Sequence, residues 1–336
     1  MAVLPVKLIR ENISVFTKVT LKTKAYNVTK QCSSTYIKTF KFSINSSLYF
    51  CLMENGRYFC YNAKVFKTGK AVISADNRSF RYGDGFFETM KMIKGNIVLK
   101  DYHFERLFSS LQLLKFEKPA HFTVAYLSGR INDLVLKNKH AEHARIRLTI
   151  FRGDGGLYDA ENNLPHYIIQ SWQLSPGNFS FNKKGLITGI YTNARKTCDG
   201  FSAVKTNNYL AYLMAALWAK ENKLDDAFVL NNYDRIADAT IANIFLVKDG
   251  TIKTPALSEG CISGVMRRYL LKALQKENIP FEETMIEKED LAEADEVFTT
   301  NAAQGIRWVK QCGKYNYRHE FSEYSYNKFL SPLFNL

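Results

Sequence analysis

Several features are scarce in this chain of 336 residues, and each scarcity excludes a class of protein. The six cysteines (Cys32, Cys51, Cys60, Cys198, Cys261, Cys312) stand singly with no Cys-x-x-Cys pair. That argues against a disulfide framework or a zinc ribbon, and a reducing, cytoplasmic setting is expected. No apolar run approaches the ~18 residues needed to span a bilayer. With 7 prolines and 18 glycines the chain is neither collagen-like nor a Pro/Gly-rich disordered segment. Metal-ligand spacing is also missing. Only His140 and His143 lie close together, and with no carboxylate arranged around them as in a zinc helix they read as a solvated helix end. The glycine turns at 83–85 and 153–156 lack the strand, GxGxxG and helix setting of a dinucleotide site, and no GxSxG elbow or P-loop lysine is present.

What remains is ordinary globular composition, 46% hydrophobic and 23% charged, sufficient for a large core. The net charge of +14 is unevenly spread. Residues 1–45 hold eight Lys/Arg against one acid, Glu11, together with ten Ser/Thr, and read as a basic extension, poorly ordered, with an organelle transit segment as the other reading. The rest of the chain carries 38 basic and 31 acidic residues. Such a mild excess suits attraction of small anionic substrates, so neither a nucleic-acid partner nor a membrane is expected.

From residue 46 onward the pattern becomes regular. Strands are predicted over 49–60 and 63–72, then a hairpin of 86–92 and 96–100 around Lys94-Gly95. Phe104, Leu107, Leu111 and Leu114 mark a helix from about residue 102, and a second helix spans 124–138. Strands follow at 145–151, 167–172 and 185–192, then a helix at 207–221. A strand pair at 227–231 and 243–248, a helix at 264–277 and a strand at 296–300 complete the reading. Blocks of strands and helices without strict alternation indicate an α+β fold in two domains, 46–172 and 173–336.

Four segments could carry chemistry. Lys205 precedes an apolar stretch (Leu210, Leu213, Met214, Leu217, Trp218), with Tyr209 one turn further on. A lysine enclosed there would lose stability as an ammonium ion, and a neutral amine is what Schiff-base chemistry requires. Asp238 lies ahead of a small-residue turn leading into a strand, and the stretch from Gly260 to Arg268 ends at a helix start able to hold a phosphate. Arg106, on an otherwise apolar helix face, is available for bidentate phosphate binding.

That set, in that order, resembles the class IV aminotransferases, the pyridoxal-phosphate enzymes of fold type IV, from about residue 49 to 334. The matching segments are 81–89 (Arg-Tyr-Gly-Asp-Gly-Phe-Phe-Glu-Thr), 103–107, 205–210, 238–245, 264–267 and 299–303. The resemblance implies a two-domain fold with the cofactor between the domains, a homodimer, and a small carboxylated amine as substrate. Lys205 would be the Schiff-base lysine and proton carrier. Arg106, the amides of Val265 and Met266, and Asn301 and Ala302 would cradle the cofactor phosphate. Tyr209 would touch the cofactor, Asp238 would pair with its pyridine nitrogen, and Phe87 and Arg147 would face the substrate.

Three departures bear on the reaction. Asp238 stands where the family usually has Glu. Asn301-Ala302 looks like the aminodeoxychorismate lyases, where the branched-chain and D-alanine aminotransferases have Thr or Ser for Asn301. Leu157 and Asp159 replace the arginine and histidine that read a D-amino-acid carboxylate. The leading expectation is therefore cleavage of 4-amino-4-deoxychorismate to 4-aminobenzoate and pyruvate, a step of folate biosynthesis. The alternatives are a branched-chain transaminase using 2-oxoglutarate and a cofactor-free binding protein.

Overall fold

The computed structural model describes residues 54–175 and 180–334, so the basic extension and the start of the first predicted strand lie outside the described residues. Two sheets organise the chain. The first holds β1 (Glu54–Asn55), β2 (Tyr58–Tyr61), β3 (Lys64–Lys67), β4 (Gly85–Ile93), β5 (Asn96–Ile97), β6 (His143–Arg152) and β7 (Pro165–Gln173). Its order is β3-β2-β7-β6-β4-β5 with β1 beside β7, and every pair is antiparallel.

The second holds β8 (Leu186–Lys196), β9 (Asp226–Asn231), β10 (Ile236–Ala239), β11 (Asn243–Lys248), β12 (Thr251–Pro255), β13 (Phe281–Thr284), β14 (Glu296–Asn301), β15 (Gly305–Cys312) and β16 (Tyr315–Asn316). The order is β10-β9-β8-β15-β14-β11-β12-β13 with β16 beside β15. It is mixed, with parallel pairs β8/β9, β8/β15 and β12/β13.

Five helices matter for the site: α1 (Arg78–Tyr82), α2 (Lys100–Leu113), α3 (Val124–Asn138), α4 (Leu210–Glu221) and α5 (Val265–Lys276). Period-2 alternation gives the first sheet two unlike faces. Ala144, Ile146, Leu148 and Ile150 of β6 are buried with Met90 against Phe104, Leu107 and Leu111 of α2 and Leu127, Ile131 and Leu134 of α3. The intervening Arg145, Arg147 and Thr149 stand on the opposite face, in register with Lys91, Thr89 and Phe87 of β4. In the second sheet Met266, Leu270 and Leu274 of α5 pack on Phe245 and Phe298, while Tyr212, Ala215 and Ala219 of α4 pack on Ala227 and Val229.

Three expectations are corrected. The predicted strands 227–231 and 243–248 do not pair: β9 lies between β8 and β10, and β11 lies between β12 and β14. The four-residue β10, too short to show a period, takes the place expected for β11. His140 is no solvated helix end, because it is buried with its Nδ1 3.1 Å from Ser171 Oγ. The helix predicted from 207 starts at Leu210, and residues 205–207 instead run alongside β4. Among the described residues no helix is long and apolar enough to cross a membrane.

Candidate active site

A cleft of about 270 Å³ is lined by residues from both sheets, with Lys205 at their junction. The chain entering α4 is stitched to the first strand of the hairpin. Phe87 N–H donates to Lys205 O (3.0 Å), Asn207 N–H donates to Gly85 O (2.9 Å), and Thr206 forms a bridge with Phe86. Gly85 permits the approach, since a Cβ there would lie 2.4 Å from Ile150 O. The glycine-rich segment 81–89 thus holds the lysine loop in place.

Lys205 Nζ donates to Tyr209 Oη at 2.7 Å and lies 4.9 Å from the centre of the Phe87 ring. Burial, with the nearby Arg106 charge adding to it, pulls this lysine down to about 7, so near neutral pH a large share of it is a free amine. The apolar stretch expected to enclose it does not. Leu210, Leu213, Met214 and Leu217 of α4 are exposed, at 71%, 58%, 42% and 52%. The buried face of α4 is made by Tyr212, Ala215 and Ala219, and the enclosure comes from aromatic rings and the cleft walls.

Asp238 is only 2% exposed. Its Oδ2 accepts from Tyr212 Oη (2.8 Å) and Ile262 N–H (2.9 Å), and its Oδ1 accepts from Asn243 Nδ2 (2.8 Å). Lys196 Nζ stands 3.7 Å from Oδ2 and donates to Ser202 O at 2.7 Å. Burial raises the Asp238 carboxyl above its usual range, while Lys196 and these donors oppose that shift. A bulge between Ile236 and Asp238 on β10 re-aims the side chain.

The third part is an anion-binding corner. Helix α5 has no side-chain cap, so the first-turn amides of Val265 and Met266, which line the cleft, have no intrahelical acceptors. Gly264 at the cap admits Asn243, whose Oδ1 would lie 1.9 Å from a Cβ at that position. Arg106 reaches the same corner through Nη1, which donates to Ser263 O at 2.9 Å.

One edge of its guanidinium is already engaged, because Nε and Nη2 both donate to Glu88, each at 2.7 Å, which leaves the Nη1/Nη2 end for an anion. His103 Nδ1 adds a third 2.7 Å contact to Glu88. Burial works against the Glu88 anion, yet Arg106 and His103 outweigh it and hold the carboxyl at about 2. Burial lowers His103, so the neutral ring donates through Nδ1, and its Nε2 has no partner among the described residues.

Opposite this corner the polar face of the first sheet presents Phe87, Thr89, Arg145 and Arg147. Arg147 lies 3.6 Å from the Phe87 ring centre and donates through Nε to Thr149 Oγ1 (3.2 Å), and Arg145 lies 4.6 Å from the Trp172 ring centre.

All the residues singled out from sequence line this one cleft: Phe87, Arg106, Arg147, Lys205, Tyr209, Asp238, Val265, Met266, Asn301 and Ala302. Asn301 differs in detail, since its Oδ1 accepts from Ala303 and Gln304 N–H and its Nδ2 donates to Gln304 Oε1, folding the amide onto its own turn. Glu88, Lys196, Tyr212, Asn243, Arg145 and Thr300 were not foreseen. Glu88 had a signal in its place on the strand beside Phe87 and Asn243 lies five residues from Asp238, but Lys196 and Tyr212 are distant in sequence from the carboxylate they serve.

A lysine pulled down to about 7, a buried carboxylate and an open helix start thus stand around one cleft. The amino-transferase class IV family model matches residues 85–312, and the chain belongs to that family. An aminodeoxychorismate lyase of Vibrio harveyi is 30% identical over 234 residues, covering 68% of this chain and 83% of the relative. The fold is that of the branched-chain aminotransferase of Thermoproteus uzoniensis, with a TM-score of 0.74 at 21% identity over 83% of this chain and 95% of that one. The T.th. branched-chain amino acid aminotransferase, solved with pyridoxamine 5′-phosphate, matches with a TM-score of 0.73 at 20% identity over 83% and 95%.

Proposed function

We propose that the cleft binds pyridoxal phosphate and cleaves 4-amino-4-deoxychorismate to 4-aminobenzoate and pyruvate. The donor set fits the cofactor: an amine for its aldehyde, a buried carboxylate for a protonated ring nitrogen, and the free amides of Val265 and Met266 for its phosphate. Lys205 would hold it covalently, with Arg106, Asn301 and Ala302 at the phosphate, Tyr209 beside the lysine and Asp238 at the ring nitrogen. Bound there, pyridoxal phosphate supplies an electron sink conjugated to the substrate's amine-bearing carbon.

The protein does the rest. Tyr209 holds Lys205 Nζ at 2.7 Å, and burial leaves that nitrogen able to take a proton. Lys205 Nζ would then be the base that takes the proton from the ring carbon bearing the substrate amine. The ring's C–O bond to enolpyruvate then breaks, the ring becomes aromatic, and enolpyruvate takes up a proton to become pyruvate.

The single observation carrying the lyase reading is the 30% identity to the Vibrio harveyi lyase over 83% of that protein. The neighbouring Arg145 and Arg147 on one cleft wall suit a substrate with two carboxylates, a property that aminodeoxychorismate shares with 2-oxoglutarate. A transaminase for branched-chain amino acids is the second reading, favoured by Leu213, Ile241 and Ala242 at the cleft, which suit an aliphatic side chain. The two are separated by whether pyruvate forms from aminodeoxychorismate with no keto acid present. The lyase releases it; a transaminase needs the acceptor.

The exposed stripe Leu210, Leu213, Met214 and Leu217 runs from solvent to the cleft, and we propose that a second copy of the chain covers it in a homodimer.

A further inference from the structure

We propose that the hydroxyl of Thr300 is a ligand of the cofactor phosphate, a side-chain contact beyond the cradle that the resemblance implied for Asn301 and Ala302. The inference rests on the pyridoxal-phosphate reading above and concerns which atoms complete its anion corner.

Thr300 lies on β14 directly across from Asn243 on β11, so the two side chains share one face of the sheet. Asn243 fixes where that face points: its Oδ1 abuts Gly264 at the cap of α5, and its Nδ2 donates to Asp238 and to Ile262 O. Thr300 thus faces the end of α5 that carries the open amides, and it lines the cleft with Val265 and Met266.

The side chain is 1% exposed, and Oγ1 is closed to solvent without a hydrogen-bond partner among the described residues. Both amide protons of Asn243 are spent, so this neighbour cannot donate to it. A buried hydroxyl with no partner is costly, and valine would fill the same space without that cost. The hydroxyl becomes favourable only when an acceptor enters the corner, and a phosphate dianion is the acceptor that the α5 amides also require. The Asn301 side chain is not free for this task, because its amide is closed onto Ala303 and Gln304, so Asn301 would meet the phosphate only through its backbone.

The test compares full-length wild type, Thr300→Val and Thr300→Ser, each freed of cofactor. Each is titrated with pyridoxal phosphate, with pyridoxal, which lacks the phosphate, and with inorganic phosphate as competitor. Thr300→Val should weaken pyridoxal phosphate about ten- to a hundredfold, the range of one hydrogen bond to a charged group, and leave pyridoxal unchanged. Inorganic phosphate should compete less well in this variant, and Thr300→Ser should restore the wild-type pattern. The melting temperature of the cofactor-free Val variant should equal or exceed that of wild type, since an unpaired hydroxyl has been removed.

Wild-type affinity in the Val variant, an equal loss for pyridoxal, or a lower melting temperature without cofactor would overturn the assignment. A wild type that binds no pyridoxal phosphate at all would instead overturn the reading on which it rests.

Discussion

The reactivity of Lys205 comes from its surroundings. It is an ordinary lysine placed by the β4 stitch among Phe87, Tyr209 and the Arg106 charge, which together hold it at about 7. Attachment of pyridoxal phosphate to the cofactor-free protein should accelerate as pH rises through about 7, well below the 10.5 of a free lysine. Stopped-flow absorbance across pH 5.5 to 9 measures it, and a rate still climbing steeply above pH 9 would contradict the assignment. The same shift has a stability consequence. Between about 7 and 10.5 the unfolded chain binds the proton that the folded chain has lost, so this group makes stability rise with pH across that window. Lys205→Met should therefore stabilise the cofactor-free protein more at pH 6 than at pH 10.

Asp238 makes a second prediction at the same scale. Its carboxylate is already held by Tyr212, Asn243 and Ile262 and backed by Lys196, on a strand whose register shifts between Ile236 and Asp238. Glutamate would add a methylene to a position with no room for it, so Asp238→Glu should be slower than wild type. Asp238→Ala should be slower still, by at least ~100-fold, about 2.7 kcal/mol of transition-state stabilisation. Steady-state kinetics rank the three proteins, and an Ala variant near wild-type turnover would remove Asp238 from the machinery.

Between elements, the tie that matters most is the buried joint of β4 and α2, where Glu88 meets Arg106 and His103. Removing one member of such a group strands the others, so Glu88→Gln should cost about 3–5 kcal/mol at neutral pH. Because its carboxyl is held at about 2 against an unfolded value near 4.5, this stabilisation is present above 4.5 and is lost as pH falls through 2. Urea melts at pH 7 and pH 3 should show the gap between wild type and Glu88→Gln narrowing at the lower pH. An equal gap at both would mean the carboxylate is not the ionised partner.

Elements with strong local patterns are legible in the sequence itself. The alternation of β6 and the apolar spacing of α3, with its Thr123 cap, state strand and helix outright. The order of Lys205, Asp238 and the α5 start is enough to gather the cleft residues. What stays hidden depends on contacts between distant segments. Nothing near Arg106 says that its fork belongs to Glu88, and nothing near Lys205 says that the leucines of α4 point away from it. The threonine at 300 reads as an ordinary strand residue until its hydroxyl is found without a partner.

At the scale of the whole molecule, the leucine stripe of α4 is an exposed apolar surface that a second copy of the chain would cover. Leu210→Glu with Leu217→Glu should shift the proposed homodimer to a monomer in analytical ultracentrifugation, while circular dichroism stays that of the folded chain. A wild type that sediments as a monomer would contradict the dimer. The whole account turns on one covalent attachment, that of pyridoxal phosphate to the lysine set between the two sheets. Borohydride reduction of the cofactor-loaded protein, followed by peptide mass mapping, should place the phosphopyridoxyl group on Lys205. Label on a different lysine, such as the buried Lys196, or no label at all, would contradict it.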